Sequence, residues 1–171
     1  MAMGVSNGPG VSVTEAPRPG DRIVQFVYWV AYRLHLLWAF LFRPATEGVW
    51  VAVWSHGNLL LIKNSYRSTI TLPGGGMGHN ETPVDAAVRE LREEVGIEAR
   101  PESLTLYDRY FSLCEFKRDH INLFELELAE QPVVDIDNRE VAWATICSAE
   151  QALNLNLFPA LRCYLEDKQA D

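Results

Sequence analysis

The chain has 171 residues, of which 48% are hydrophobic and 22% charged; that suffices for one ordinary core and is unlike a disordered or integral membrane chain. The formal net charge of −8 argues against a general nucleic-acid binder, which needs a basic face to displace counterions. Cys114, Cys147 and Cys163 are widely spaced and odd in number, so they read as reduced thiols of a cytoplasmic protein rather than a disulfide or zinc set.

Residues 1–21 mix Gly, Pro, Ser and Thr without period and read as a mobile tail. Residues 22–43 read as an amphipathic helix stopped by Pro44. Ile23 to Phe42 is long enough to tempt a membrane-spanning assignment, since about 20 apolar residues cross a bilayer. Arg33 and His35 lie near its centre, however, and a charge there costs roughly 2.5 to 3.5 kcal/mol on insertion scales. On a helical wheel Gln25, Tyr28, Tyr32, His35, Ala39 and Arg43 form a weakly polar stripe, with Phe26, Val27, Val30, Leu34, Leu37, Trp38 and Leu41 elsewhere. Such a helix is expected to pack on the domain or on a second copy of the chain, which favours a homodimer. Its sharper alternative is an interfacial membrane anchor using Trp29 and Trp38, which would make the protein peripheral.

From residue 44 to 171 the pattern is that of one domain. Gly48–Ser55 and Asn58–Lys63 read as strands joined by a His56-Gly57 turn. Ser68–Leu72 reads as a third short strand, halted by Pro73-Gly74-Gly75-Gly76. A helix follows over Thr82–Val95. Leu104–Phe116 and His120–Leu128 suggest a second hairpin, Val141–Ile146 a last strand, and Ser148–Asn154 and Leu157–Lys168 two helices. This order indicates a mixed α/β or α+β fold.

The stretch Gly75–Ile97, GGMGHNETPVDAAVRELREEVGI, carries the chemistry. Thr82 suits an N-cap, Pro83 the first helical position and Gly96 a left-handed C-cap. Val84, Ala87, Val88, Leu91 and Val95 recur at three- and four-residue steps and form an apolar stripe. Glu90, Glu93 and Glu94 cluster on a different face, where like charges one turn apart repel. A hard divalent cation reverses that sign, because Mg²⁺ and Mn²⁺ prefer several oxygen ligands. The glycine loop ahead of the helix lets backbone come close to a metal or a phosphate.

This segment resembles the Nudix box: Gly, five residues, Glu, seven residues, Arg-Glu, an aliphatic, any residue, Glu-Glu, any residue, Gly, an aliphatic. Gly75, Glu81, Arg89, Glu90, Leu91, Glu93, Glu94, Gly96 and Ile97 match it without a gap, and Leu72-Pro73-Gly74 fits the usual approach to it. Ile70 departs from the Trp that many relatives carry. The resemblance implies a Nudix-type α/β/α sandwich with a mixed sheet and a hydrolase that cleaves a diphosphate linkage in a nucleoside diphosphate joined to another moiety. By the same resemblance, Glu90, Glu93 and Glu94 would hold Mg²⁺ or Mn²⁺ together with a backbone carbonyl at or beside Gly75. Arg89 would orient a box glutamate, and Glu81 would pair with Arg89 as a structural residue. The general base would be a box glutamate or a late-loop acid, Asp135 or Asp137, ahead of Glu140-Val141-Ala142-Trp143. Tyr66 and Arg67 are candidates to reach the phosphate or base of a small-molecule substrate. Two other functions suit the same pattern: a membrane-associated hydrolase of a lipid or isoprenoid diphosphate, and a nucleotide-sensing module that does not cut.

Overall fold

A computed structural model describes residues 11–13, 18–42, 45–112, 118–136 and 138–170. Among these, strands β1 (Val11–Val13), β2 (Ala45–Ser55), β3 (Asn58–Asn64), β4 (Thr105–Ser112), β5 (Arg118–Leu128) and β6 (Val141–Ser148) form one sheet. Their order is β1-β6-β3-β2-β5-β4. The helices are α1 (Pro19–Phe42), α2 (Pro83–Val95), α3 (Ala149–Leu153) and α4 (Pro159–Ala170). β2 and β5 run parallel from Ala45↔Arg118 to Ser55↔Leu128, and the other pairings are antiparallel. The sheet is therefore mixed, with helices on both faces, which is the expected Nudix-like sandwich.

The period of two along each strand makes the two layers. Val49, Val51 and Val53 of β2, with Leu60 and Ile62 of β3, pack under Ala87, Leu91 and Val95 of α2. The alternate residues Trp50, Ala52, Leu59 and Leu61 face Leu161, Tyr164 and Leu165 of α4. Tyr164 is fully buried, and its hydroxyl is satisfied there. It donates to Glu125 Oε1 at 2.6 Å and accepts from Trp54 Nε1 at 2.8 Å. Glu125 also pairs with Lys168 at 2.9 Å, so this carboxylate braces α4 on the sheet.

Three local features differ from the sequence reading. The hairpin turn is as expected, with His56 and Gly57 both at positive φ (49° and 73°). Its strands, however, pair only at Trp54↔Leu59 and Ser55↔Asn58. Beyond that point the segment 70–76 lies between them. Thr71 exchanges both backbone hydrogen bonds with Ile62 of β3, while Val51 and Val49 of β2 donate to the carbonyls of Pro73 and Gly75. The predicted strand Ser68–Leu72 is thus reduced to isolated bridges at Ile70 and Thr71. Pro73, which has no N–H, and the glycines after it cross from one strand to the other instead of running along either. Val11–Val13, inside the stretch read as a tail, runs antiparallel to β6 at the sheet edge. The loop of the second hairpin, 113–117, lies outside the described residues, as do Cys114, Arg43, Pro44 and Asp137.

Helix α1 meets the domain through its polar stripe. Gln25 Nε2 donates to Asn138 O at 2.6 Å, Asp21 pairs with Arg139 at 3.5 Å, and Ala39 is buried. The Tyr28 and Tyr32 rings lie 6.1 and 5.0 Å from Tyr66. Ile23, Phe26, Leu34, Leu37 and Leu41 point away from the domain, whereas Trp29 and Leu36 line a cleft with Tyr66, Arg67 and Phe158.

Candidate functional site

Helix α2 is set by its own ends. Thr82 Oγ1 accepts from Asp85 N at 3.3 Å, Pro83 opens the helix, and Gly96 closes it in the left-handed region at φ 69°. With the apolar stripe on the sheet, Glu90 and Glu94 are turned towards the glycine loop held between β2 and β3. Glu94 is buried: Gly74 N–H donates to its Oε2 at 2.7 Å, and Asn64 Nδ2 approaches Oε1 at 3.5 Å. Glu90 lies against Gly75 so closely that a Cβ on Gly75 would stand 2.6 Å from Oε1. Gly74, at φ 149°, has no more room, since a Cβ there would meet Val49 O. Both positions demand glycine, one for the carboxylate and one for the sheet.

Arg89 organises the acidic face. Its Nε and Nη2 take both oxygens of Glu81 at 2.8 and 3.0 Å, Nη1 reaches Glu90 at 2.6 Å and Glu93 at 3.3 Å, and Nη2 also bonds Gly76 O. Glu81 in turn accepts from Gly78 N at 2.7 Å, which closes the loop on itself. The guanidinium and that backbone N–H hold Glu81 down to about 2. Glu81 and Arg89 are therefore paired as the resemblance implied. Glu93 is half-exposed at the mouth, where Arg92 also comes within 3.9 Å.

Burial, above all, pushes Glu94 up to about 8; the Gly74 N–H opposes this, and the charges of Glu90 and Glu140 add to it. Glu90 is also raised, first by burial and then by Glu140 and Glu93, against the pull of Arg89. Three carboxylates thus share one poorly solvated region, and the third is Glu140, which was not singled out from the sequence. Glu140 ends the loop before β6. Pairing of Asn64 with Val141 sets it beside the 65–67 loop, where Ser65 N donates to its carbonyl at 2.7 Å and Tyr66 Oη to its Oε1 at 2.9 Å. Its only mark in the sequence was its place just before the last strand.

Glu90, Glu93, Glu140, Arg89, Tyr66 and Arg67 line one cleft of about 490 Å³, closed at other points by the glycine loop, Thr46, Asp119 and His35 of α1. The Arg67 guanidinium lies over the Tyr32 and Tyr66 rings at 5.5 and 5.7 Å. Asp135 is placed elsewhere. It is exposed beyond the C-terminal end of α2, where its N–H donates to Val95 O and its Cβ stands against Gly96. The Gly75 carbonyl accepts from Val49 N at 2.9 Å, so it is engaged in the sheet.

A model of the NUDIX domain matches residues 44–167. The chain belongs to the Nudix family. Two curated relatives align over part of their length. An RNA pyrophosphohydrolase of Hydrogenovibrio crunogenus is 44% identical over 48 residues, 28% of this chain and 29% of that protein. A probable DHNTP pyrophosphohydrolase of Lactococcus lactis is 34% identical over 86 residues, 46% of this chain and 52% of that protein. The chain therefore spans from under a third to about half of these relatives. Among solved structures, a C. elegans Ap4A hydrolase binary complex superposes with a TM-score of 0.62 at 21% identity, over 74% of this chain and 96% of that one. That likeness is one of fold: the Nudix sandwich without the α1 appendage accounts for most of the chain.

Proposed function

We propose that this Nudix domain hydrolyses a diphosphate linkage in a small nucleotide-type substrate, a nucleoside diphosphate joined to another moiety, with Mg²⁺ or Mn²⁺. The observation that carries the reading is the convergence of Glu90 and Glu94 on the Gly74–Gly75 backbone at the cleft, two carboxylates raised chiefly by burial, with the charge of Glu140 adding to both. The names of the two aligned pyrophosphohydrolases support the same class of reaction.

The residues fit a hard cation by donor chemistry. Among the described residues no three acidic, His or Cys side chains close into a ready cage. Mg²⁺ does not need one, because it keeps several waters and takes one or two protein carboxylates plus substrate phosphates. Glu90 and Glu94 would supply those carboxylates, with half-exposed Glu93 acting directly or through water. Gly75 and Gly76 carbonyls already accept from Val49 and Arg89. Each carbonyl keeps a second lone pair, so a backbone oxygen at or beside Gly75 would complete the donor set. When bound, the cation neutralises charge on the phosphate oxygens and lowers the pKa of attacking water.

Arg89 fixes the rotamers of Glu90 and Glu93 and ties them to the loop through Glu81. Glu140, held by the Tyr66 hydroxyl in the same cleft, would take the proton from water as its oxygen bonds to phosphorus and the bridging P–O bond breaks, the leaving phosphate departing with the bridging oxygen. Arg67 lines the same cleft and would pair with a substrate phosphate, and the Tyr66 ring beside it would offer an apolar wall. The test is phosphate release, after coupling to a phosphatase, from diphosphate compounds with Mg²⁺ or Mn²⁺. The panel holds ADP-ribose, NADH, dinucleoside polyphosphates, nucleoside triphosphates, sugar nucleotides and an isoprenoid diphosphate. A strong hit lost in Glu94→Gln supports the reading. Silence across the panel, with nucleotide binding retained, replaces it with a sensor.

A further inference from the structure

Helix α1 presents its two sides in the reverse of the order found on a soluble surface helix, where the apolar stripe faces the core. Its contacts with the domain run through Asp21, Gln25, Tyr28, Tyr32 and small Ala39. Opposite them, Ile23, Phe26, Leu34, Leu37 and Leu41 are each 57–68% exposed, far more than isolated surface apolar residues would require. At about 100° per residue these side chains centre the outer face. Trp29 and Phe40 then fall on one margin, and Trp38 and Phe42 on the other.

Three observations say what covers this face. The apolar arc from Trp29 round to Trp38 takes up about half of the helix circumference or more, whereas a partner helix covers only the narrow seam of a coiled coil. Charge is the second. The chain carries −8 overall, yet the only acid of α1, Asp21, is spent on Arg139, and Arg22 and Arg33 are exposed on the Trp29 margin. The Arg33 guanidinium lies over the Trp29 ring at 5.1 Å, so cation and indole share one edge of the apolar arc. The third is the aromatic margin itself, because Trp suits the headgroup level, where one edge of the ring is apolar and the other wet. A helix crossing the bilayer would have to give up Gln25–Asn138 and the Tyr66 stacking and would bury Arg33.

We propose that the outer face of α1 is a bilayer-docking surface, lying in the plane of an anionic membrane at the boundary of headgroups and acyl chains, with the Nudix domain seated on its polar side. The 24-residue helix lays a strip of about 36 Å along the membrane. His35 of the same helix lines the cleft. The proposal stands independently of the reaction proposed above, because its readout is partitioning and not turnover.

The test is co-sedimentation of the full chain with phosphatidylcholine vesicles that contain or lack phosphatidylglycerol. The full chain should pellet with the anionic vesicles and come off in alkaline carbonate. Leu34→Asp/Leu37→Asp should stay in the supernatant with an unchanged circular dichroism spectrum and melting point. Arg22→Glu/Arg33→Glu, which leaves the apolar arc intact, should weaken binding to anionic vesicles by about tenfold or more. A full chain that stays in the supernatant with every vesicle overturns the proposal. So does equal pelleting of the leucine variant. A concentration-dependent dimer abolished by that variant, without vesicle binding, assigns the face to a second copy. Retention through carbonate overturns the in-plane placement in favour of a span.

Discussion

The substitution Glu94→Gln separates the stability of the fold from the chemistry of the cleft. Glu94 sits near 8 in the folded protein against an ordinary value of 4.5, chiefly because burial penalises its charge. Between those values the folded chain holds a proton that the unfolded chain has released, so the metal-free protein loses stability as pH rises through this window. Each unit corresponds to about 1.4 kcal/mol, so the penalty at pH 7 is on the order of 1 to 3 kcal/mol once coupling to Glu90 is discounted. Glutamine keeps the volume, can accept from Gly74 N–H, and can meet the Asn64 amide if that group turns over. The variant should therefore be more stable than the parent in chelator at neutral pH, by about 1 to 3 kcal/mol, and equally stable near pH 4.5, while its turnover is abolished. Urea unfolding across this pH range, with and without Mg²⁺, measures the difference. Added Mg²⁺ should stabilise the parent alone. Parallel pH profiles for the two proteins would refute the account of Glu94 as a strained buried carboxylate.

Other outcomes follow from the same geometry. Arg89→Ala removes the group that joins Glu81, Glu90 and Glu93 and should cost about 2 to 3 kcal/mol in urea unfolding. Arg89→Lys should recover little of this, because one ammonium cannot span the three carboxylates. Gly75→Ala sets a methyl group 2.6 Å from Glu90 Oε1, so kcat should fall by about a hundredfold or more while the unfolding midpoint moves little. Glu140→Gln should lower kcat by about 10² to 10⁴, whereas Asp135→Asn, exposed past the C-terminus of α2 and outside the cleft lining, should leave single-turnover rates at the parent value. The reverse pattern would return the proton-accepting role to the late loop.

What could be read from the sequence was what neighbours decide. Thr82, Pro83 and Gly96 set the ends of α2, and the spacing of Ala87, Leu91 and Val95 set its buried face, because caps and stripes depend on residues within one or two turns. His56-Gly57 marked its turn for the same reason. The Nudix box was legible because its carboxylates, its arginine and its glycines all lie within 23 residues of chain. The apolar runs of β2 and β3 around that turn likewise foretold strands, although they could not say which helix each face would meet.

What only the tertiary structure decided rests on registers between segments far apart in the chain. The hairpin opens after two residue pairs because segment 70–76 takes the hydrogen bonds that β2 and β3 would otherwise exchange, and that insertion brings Gly74 and Gly75 to Glu94 and Glu90. Glu140 joins the box because Asn64 pairs with Val141, a contact that no local pattern encodes. The wheel of α1 revealed two unlike faces but not which one would turn inward. Specific hydrogen bonds and ring contacts to Tyr66, Asn138 and Arg139 settled that in favour of the polar side, a choice that depends on partners 34 to 118 positions away. Local propensity acts over a few residues, whereas the cost of burying a carboxylate or leaving an apolar face in water is set by whatever the completed fold places beside it.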